Sequence, residues 1–131
     1  MDGKDFLKIA QTFQASEIEA ERRTSIGRSY YALFNAMVQT LQAQQIQFAG
    51  DVADHALLTK YLKSSGDNIA YKIGDTLTAL RKDRNNADYG MRATIGRNKS
   101  EWAYRQAADG FAYLSQINPI ALAAKIRNLP Q

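Results

Sequence analysis

The chain has 131 residues, the size of one ordinary domain, and carries a formal charge of +4 from 17 basic and 13 acidic side chains. It has no cysteine, which excludes disulfides and thiolate metal sites, and its one histidine is too few to found a zinc centre. No leader pattern opens the sequence and no apolar run approaches about 20 residues, so the expectation is a single soluble, cytoplasmic domain over residues 1–131, with no membrane segment and no cofactor.

In chain order, a short amphipathic helix is predicted from about Asp5 to Phe13. Ser16-Glu17-Ile18-Glu19 has the capping-box pattern, in which a serine hydroxyl and a glutamate three residues on satisfy free amides. A long helix is predicted to follow, reaching about Gln45, with Ile26, Tyr30, Leu33, Met37 and Leu41 as its buried stripe at spacings of three and four. Phe48-Ala49-Gly50 is its predicted break. A third helix opens near Asp51 or Asp54, either a plausible N-cap, and closes around Ser64-Ser65-Gly66. Asp67 caps a fourth, from about Asn68 to Ala87, and Gly90 to Gly96 reads as a loop. Asn98, with Glu101 three later, opens a fifth helix through about Gln116. Asn118-Pro119 is an N-cap followed by proline in the first turn, which opens a short last helix. No stretch alternates like a strand. The predicted fold is all-α, an antiparallel bundle of four to six helices.

Charge is uneven along this frame. Residues 81–105 hold 7 basic side chains against 3 acidic ones, whereas residues 1–80 and 106–131 nearly cancel. A local positive field attracts phosphate, RNA or an acidic partner, or is a solvated face with a slight excess. The fourth helix is the informative element. Its apolar stripe, Ile69, Ile73, Leu77 and Leu80, continues onto Arg84, with Asp88 beside it. A core-directed arginine must be paired or must face a cleft, because an isolated buried charge is costly. Asp88, four residues on, can supply the partner. Two readings stay open: a helix-end salt bridge, or a guanidinium held by a carboxylate and ready to grip phosphate with both nitrogens.

Two segments then point to a family. Arg28-Ser29-Tyr30-Tyr31-Ala32-Leu33-Phe34-Asn35-Ala36 resembles the R-x-x-Y-Y-A-x-F-x-A signature of HEPN domains, the higher-eukaryote and prokaryote nucleotide-binding family. Arg81-Lys82-Asp83-Arg84-Asn85-Asn86-Ala87-Asp88-Tyr89 resembles that family's R-x-x-R-N-x-A-D-Y variant, and His55 sits where the family often has a histidine at the start of its third helix. The resemblance spans roughly residues 15–115. It implies a helical bundle, often a homodimer. It also implies a place in toxin–antitoxin, CRISPR or phage-defence systems, where many members are metal-independent ribonucleases and others pair with a minimal nucleotidyltransferase antitoxin.

The resemblance puts Arg84 at the phosphate-binding arginine and Asn85 at the polar residue after it. The family's catalytic histidine, four to six residues beyond that arginine, is missing: Asp88, Tyr89 and Gly90 stand there. Tyr89 is a weak base with an ordinary pKa of about 10, and Asp88 is ionised at neutral pH unless strongly desolvated. His55 either reaches the site from another helix or is a polar residue at a helix start. The catalytic candidates are therefore Arg84, Asp88, Tyr89 and His55, and the binding candidates are Arg28, Asn35, Arg81 and Asn85. Arg28 and Asn35 lie seven apart on the polar side of the long helix, facing solvent or a dimer cleft. Tyr30, Tyr31 and Phe34 read as core, with one hydroxyl free to reach a cleft. Two functions follow. One is a defence component engaging RNA or a nucleotide, with or without cleavage. The other is a non-catalytic dimeric module that binds a partner protein.

Overall fold

Asp2 starts the first helix. Its carboxylate accepts the Asp5 amide at 3.1 Å, and Asp5 returns the favour to the Asp2 amide at 3.1 Å, a reciprocal capping box. In the computed structural model, which describes residues 2–89 and 94–130, six helices follow one another: α1 (Gly3–Phe13), α2 (Glu19–Gln42), α3 (Asp54–Ser64), α4 (Asn68–Tyr89), α5 (Arg97–Gln116) and α6 (Pro119–Arg127). No strand occurs among the described residues, so the expected all-α bundle is the fold.

The predicted core stripe of α2 is buried throughout: Ile26, Leu33, Met37 and Leu41 are wholly enclosed, and Tyr30 nearly so. They meet Leu58 and Leu62 of α3, Ile73, Leu77 and Leu80 of α4, Ala103 and Ala107 of α5, and Leu122 and Ile126 of α6 in one apolar cluster. Each large side chain so buried contributes roughly 1.5–3 kcal/mol. The long α2 is the axis of the assembly, packed by α1, α4 and α5 and touched by α6, while α3 lies against α4. Small residues on α5 let it come close to α2. A Cβ at Gly110 would stand only 2.5 Å from Leu33 Cδ2.

Several predicted helix ends are corrected. The capping box at Ser16 does not form. The Ser16 hydroxyl accepts from the Ile18 amide at 3.1 Å and donates to Glu21 at 2.6 Å, while the Glu19 carboxylate goes to the Ile95 amide at 3.1 Å and to Arg23. The N-cap of α2 is instead Ile18, with no side-chain cap hydrogen bond. α2 ends at Gln42, short of Gln45, because Gln45 adopts a left-handed backbone (φ 69) and turns the chain before Phe48-Ala49-Gly50 is reached.

Neither Asp51 nor Asp54 is the N-cap of α3; Ala53 is. Asp54, buried in the first turn, accepts from the Ala49 and Gly50 amides at 3.0 and 2.8 Å and ties down the loop ahead of the helix. α5 begins at Arg97, one residue before Asn98, with Gly96 in the capping position. Asp67 and Asn118 do cap: Asp67 accepts from the Ile69 and Ala70 amides, each at 2.9 Å, and Asn118 accepts from Ala121 at 3.1 Å ahead of Pro119. α4 runs two residues past Ala87, to Tyr89. Of the predicted loop, residues 90–93 lie outside the described residues, and 94–96 are non-helical.

Candidate functional site

Where α2, α3 and α4 converge, a cleft of about 370 Å³ opens. It is lined by Tyr30, Tyr31 and Phe34 of α2, by Arg81 and Arg84 of α4, and by Gly50, Asp51, Val52 and His55. The helical repeat explains the arrangement. Tyr30 and Phe34 lie one turn apart, with their rings stacked at 5.6 Å, and Tyr31 sits about 100° around the helix, edge-on to Tyr30 at 5.1 Å. Arg81 and Arg84 are likewise one turn apart on α4.

The Tyr30 hydroxyl stands 2.7 Å from His55 Nδ1. Burial pushes Tyr30 up to about 12, with a smaller opposing pull from Arg81, so its oxygen keeps its proton at neutral pH. Thr59 donates its own proton to the His55 carbonyl at 2.9 Å, which leaves the hydroxyl oxygen facing Nε2 at 3.4 Å. Together these partners assign His55 the tautomer with its proton on Nε2. Burial first, and the Arg81 charge second, lower its pKa from 6.5 to about 4. His55 is therefore neutral at pH 7, and its one lone pair is engaged by Tyr30.

Arg84 is held on three sides. Its Nε lies 3.0 Å from Asp88 Oδ2, its Nη1 donates to Asn85 Oδ1 at 3.3 Å, and its guanidinium carbon stands 5.2 Å from the centre of the Tyr31 ring. The side chain is 21% exposed, so both its partial shielding and its Asp88 pair agree with the four-residue spacing. Arg81 differs. It is half-buried in the cleft and makes no hydrogen bond or ion pair with any described residue.

The structure thus brings Arg81, Arg84 and His55 together in the cleft, with Asn85 and Asp88 attached to Arg84. Asp88 is exposed and borders a neighbouring hollow beside Glu19 and Arg23. Arg28 and Asn35 do not line the cleft. The Arg28 guanidinium lies 5.4 Å over the Phe6 ring of α1. Tyr89 ends α4, and its side chain lies outside the described residues. The basic excess of residues 81–105 is partly neutralised within the fold: Lys99 pairs with the buried Asp83 at 2.8 Å and Arg97 with Glu17 at 3.4 Å. Arg92 lies outside the described residues.

Sequence reasoning missed Thr59, the cleft-lining Asp51 and Val52, and the support of Arg84 by Tyr31. Only Thr59, four residues after His55 on the same helix, left a sequence signal. Among the described residues no group of histidine, aspartate and glutamate can hold a metal ion, and no helix is long and apolar enough to cross a membrane. No protein-family model, curated protein or solved structure matches the chain.

Proposed function

We propose that this chain is a HEPN-type component of a toxin–antitoxin or phage-defence system that engages the phosphate of RNA or of a nucleotide in the α2–α3–α4 cleft. On this reading it works in the cytoplasm as a homodimer. Arg81 is the principal phosphate ligand and Arg84 a second, pre-oriented cation. The observation that carries the reading is Arg81: a half-buried guanidinium lining a cleft, with no anionic partner among the described residues. A cation in that state gains most from a ligand that brings the missing negative charge, and the planar guanidinium fits phosphate. The two family-like segments both line this cleft, Tyr30, Tyr31 and Phe34 from one and Arg81 and Arg84 from the other, which supports the resemblance.

Binding is favoured over strand cleavage. A 2′-hydroxyl attack needs a group with a free lone pair to take the proton, and the lone pair of His55 is engaged by Tyr30 at 2.7 Å. The same observation favours a second reading, in which the chain is the non-catalytic dimeric partner of another protein such as a minimal nucleotidyltransferase. Fluorescence anisotropy with a labelled single-stranded RNA decides between them. The expected result is binding that weakens steeply with salt, with Arg81→Gln lowering affinity about tenfold and flattening the salt slope by about one phosphate. No binding at low salt refutes the RNA reading, and cleavage of the same RNA in the presence of EDTA refutes the non-catalytic assignment.

A further inference from the structure

Arg28, Phe6, Tyr31 and Arg84 belong to three different helices, yet they form one continuous stack. The Arg28 guanidinium caps the Phe6 ring at 5.4 Å. Phe6 meets Tyr31 with ring centres 6.3 Å apart, tilted by 39°. Tyr31 presents a face to the Arg84 guanidinium at 5.2 Å. Phe6 lies on α1, outside the cleft, and is not among its lining residues. α1 cannot slide freely along α2, because a Cβ at Gly3 would stand 2.5 Å from the Ala32 carbonyl oxygen; the two backbones are in close contact at that end. Phe6 is thereby held against Tyr31 by the packing of its own helix.

We infer that Phe6 and Tyr31 are positioning residues for Arg84: α1 backs Tyr31, and Tyr31 sets the plane in which the Arg84 guanidinium meets a ligand. Asp88 stands 3.0 Å from Arg84 Nε as an ion pair and Asn85 accepts from Nη1 at 3.3 Å, and both are exposed side chains. The flat Tyr31 ring favours one plane, since a guanidinium over an aromatic face is attracted to the ring's negative π cloud. The functional consequence rests on the phosphate-binding reading above; the stack itself does not.

The experiment separates the two. The Arg84 Nε–Hε resonance, assigned by its loss in Arg84→Lys, is followed by NMR in the whole protein while affinity for the labelled RNA is measured in parallel. In the wild type the ring current of Tyr31 displaces this resonance from those of exposed arginines. Tyr31→Leu is expected to abolish the displacement. Phe6→Leu is expected to reduce it and to weaken RNA binding about two- to fivefold, in line with the strength of one cation–aromatic contact. Phe6→Tyr, which keeps a ring at the same place, is expected to restore both. If the resonance stays put in Tyr31→Leu or in Phe6→Leu, the inference is wrong. It is equally wrong if the resonance moves in Phe6→Leu while RNA affinity holds and Arg84→Ala lowers it. If Arg84→Ala leaves RNA affinity untouched, the role of Arg84 in the proposed function falls, and the resonance alone decides whether the stack orients the guanidinium.

Discussion

Lowering the pH from 7 to 4 should destabilise this protein through its one histidine. Unfolded, His55 titrates near its ordinary 6.5; folded, burial and Arg81 hold it at about 4. Between those values the unfolded chain binds a proton that the folded chain refuses, so stability is complete above about pH 6.5 and is lost progressively as pH falls to 4. The gap corresponds to roughly 3 kcal/mol at its full extent. That is a large share of the 5–15 kcal/mol a domain of ordinary size commands. Protonation would also place a cation beside Arg81 and break the bond from Tyr30 to Nδ1. The assay is urea unfolding at half-unit pH steps from 7 to 4, for the wild type and for His55→Gln, which can still accept from Tyr30 but does not titrate. The difference between the two curves should fall across this window. Glu19, lowered chiefly by the Ile95 amide and next by Arg23, loses its contribution below about 4.5 in both proteins and cancels in the comparison. Parallel curves for the two proteins, or a His55 ring titrating near 6.5 by NMR, would refute the assigned environment.

Other expectations follow from packing. Because Asp88 is exposed, removing its partner in Arg84→Ala leaves a carboxylate that water can solvate. The cost should be about 1 kcal/mol by chemical denaturation, and a loss above about 3 kcal/mol would mean the pair is more deeply enclosed than the structure shows. Gly27 lies inside α2 with nothing within 4 Å of an added Cβ, so Gly27→Ala should raise stability by about 0.5–1 kcal/mol. Gly3→Ala drives a methyl against the Ala32 carbonyl oxygen and should cost about 1–3 kcal/mol. Equal melting temperatures for these two variants would contradict the α1–α2 contact.

The features legible in the sequence are those that helix geometry alone produces. The stripe from Ile26 to Leu41 is buried where a period of 3.6 places it, and Arg84 meets Asp88 because four residues bring two side chains onto one face. Asp67 and Asn118 cap because an N-cap bond reaches only two or three residues ahead. The errors arise where a long-range partner outbid a local one. Glu19 had the spacing to close a box with Ser16, but the Ile95 amide, 76 residues away, took its carboxylate. Arg28 had the spacing of a polar face beside Asn35, but α1 laid Phe6 beneath it. His55 could be suspected of reaching the cleft, but that its partner is Tyr30 depends on where the packing of α3 on α4 sets it relative to α2.

The same distinction explains why two arginines one turn apart on α4 have different chemistry. Arg84 has a carboxylate four residues ahead of it and an aromatic face across from it, so its charge is balanced within the protein. The residue four ahead of Arg81 is Asn85, which carries no charge and accepts from Arg84 instead. Tyr30 and His55, which line the same cleft, are both neutral at pH 7 and both influenced by the positive charge of Arg81. His55 is driven neutral partly by that charge, so the histidine cannot compete with a ligand for the role of cation, nor can it neutralise one that arrives. Of the two arginines lining the cleft, Arg84 has its carboxylate partner in Asp88, and the carboxylate lining the cleft itself is Asp51. By its place in the sequence, Arg84 stands at the position of the family's phosphate-binding arginine. Arg81, by contrast, lines the cleft with no hydrogen bond or ion pair to any described residue.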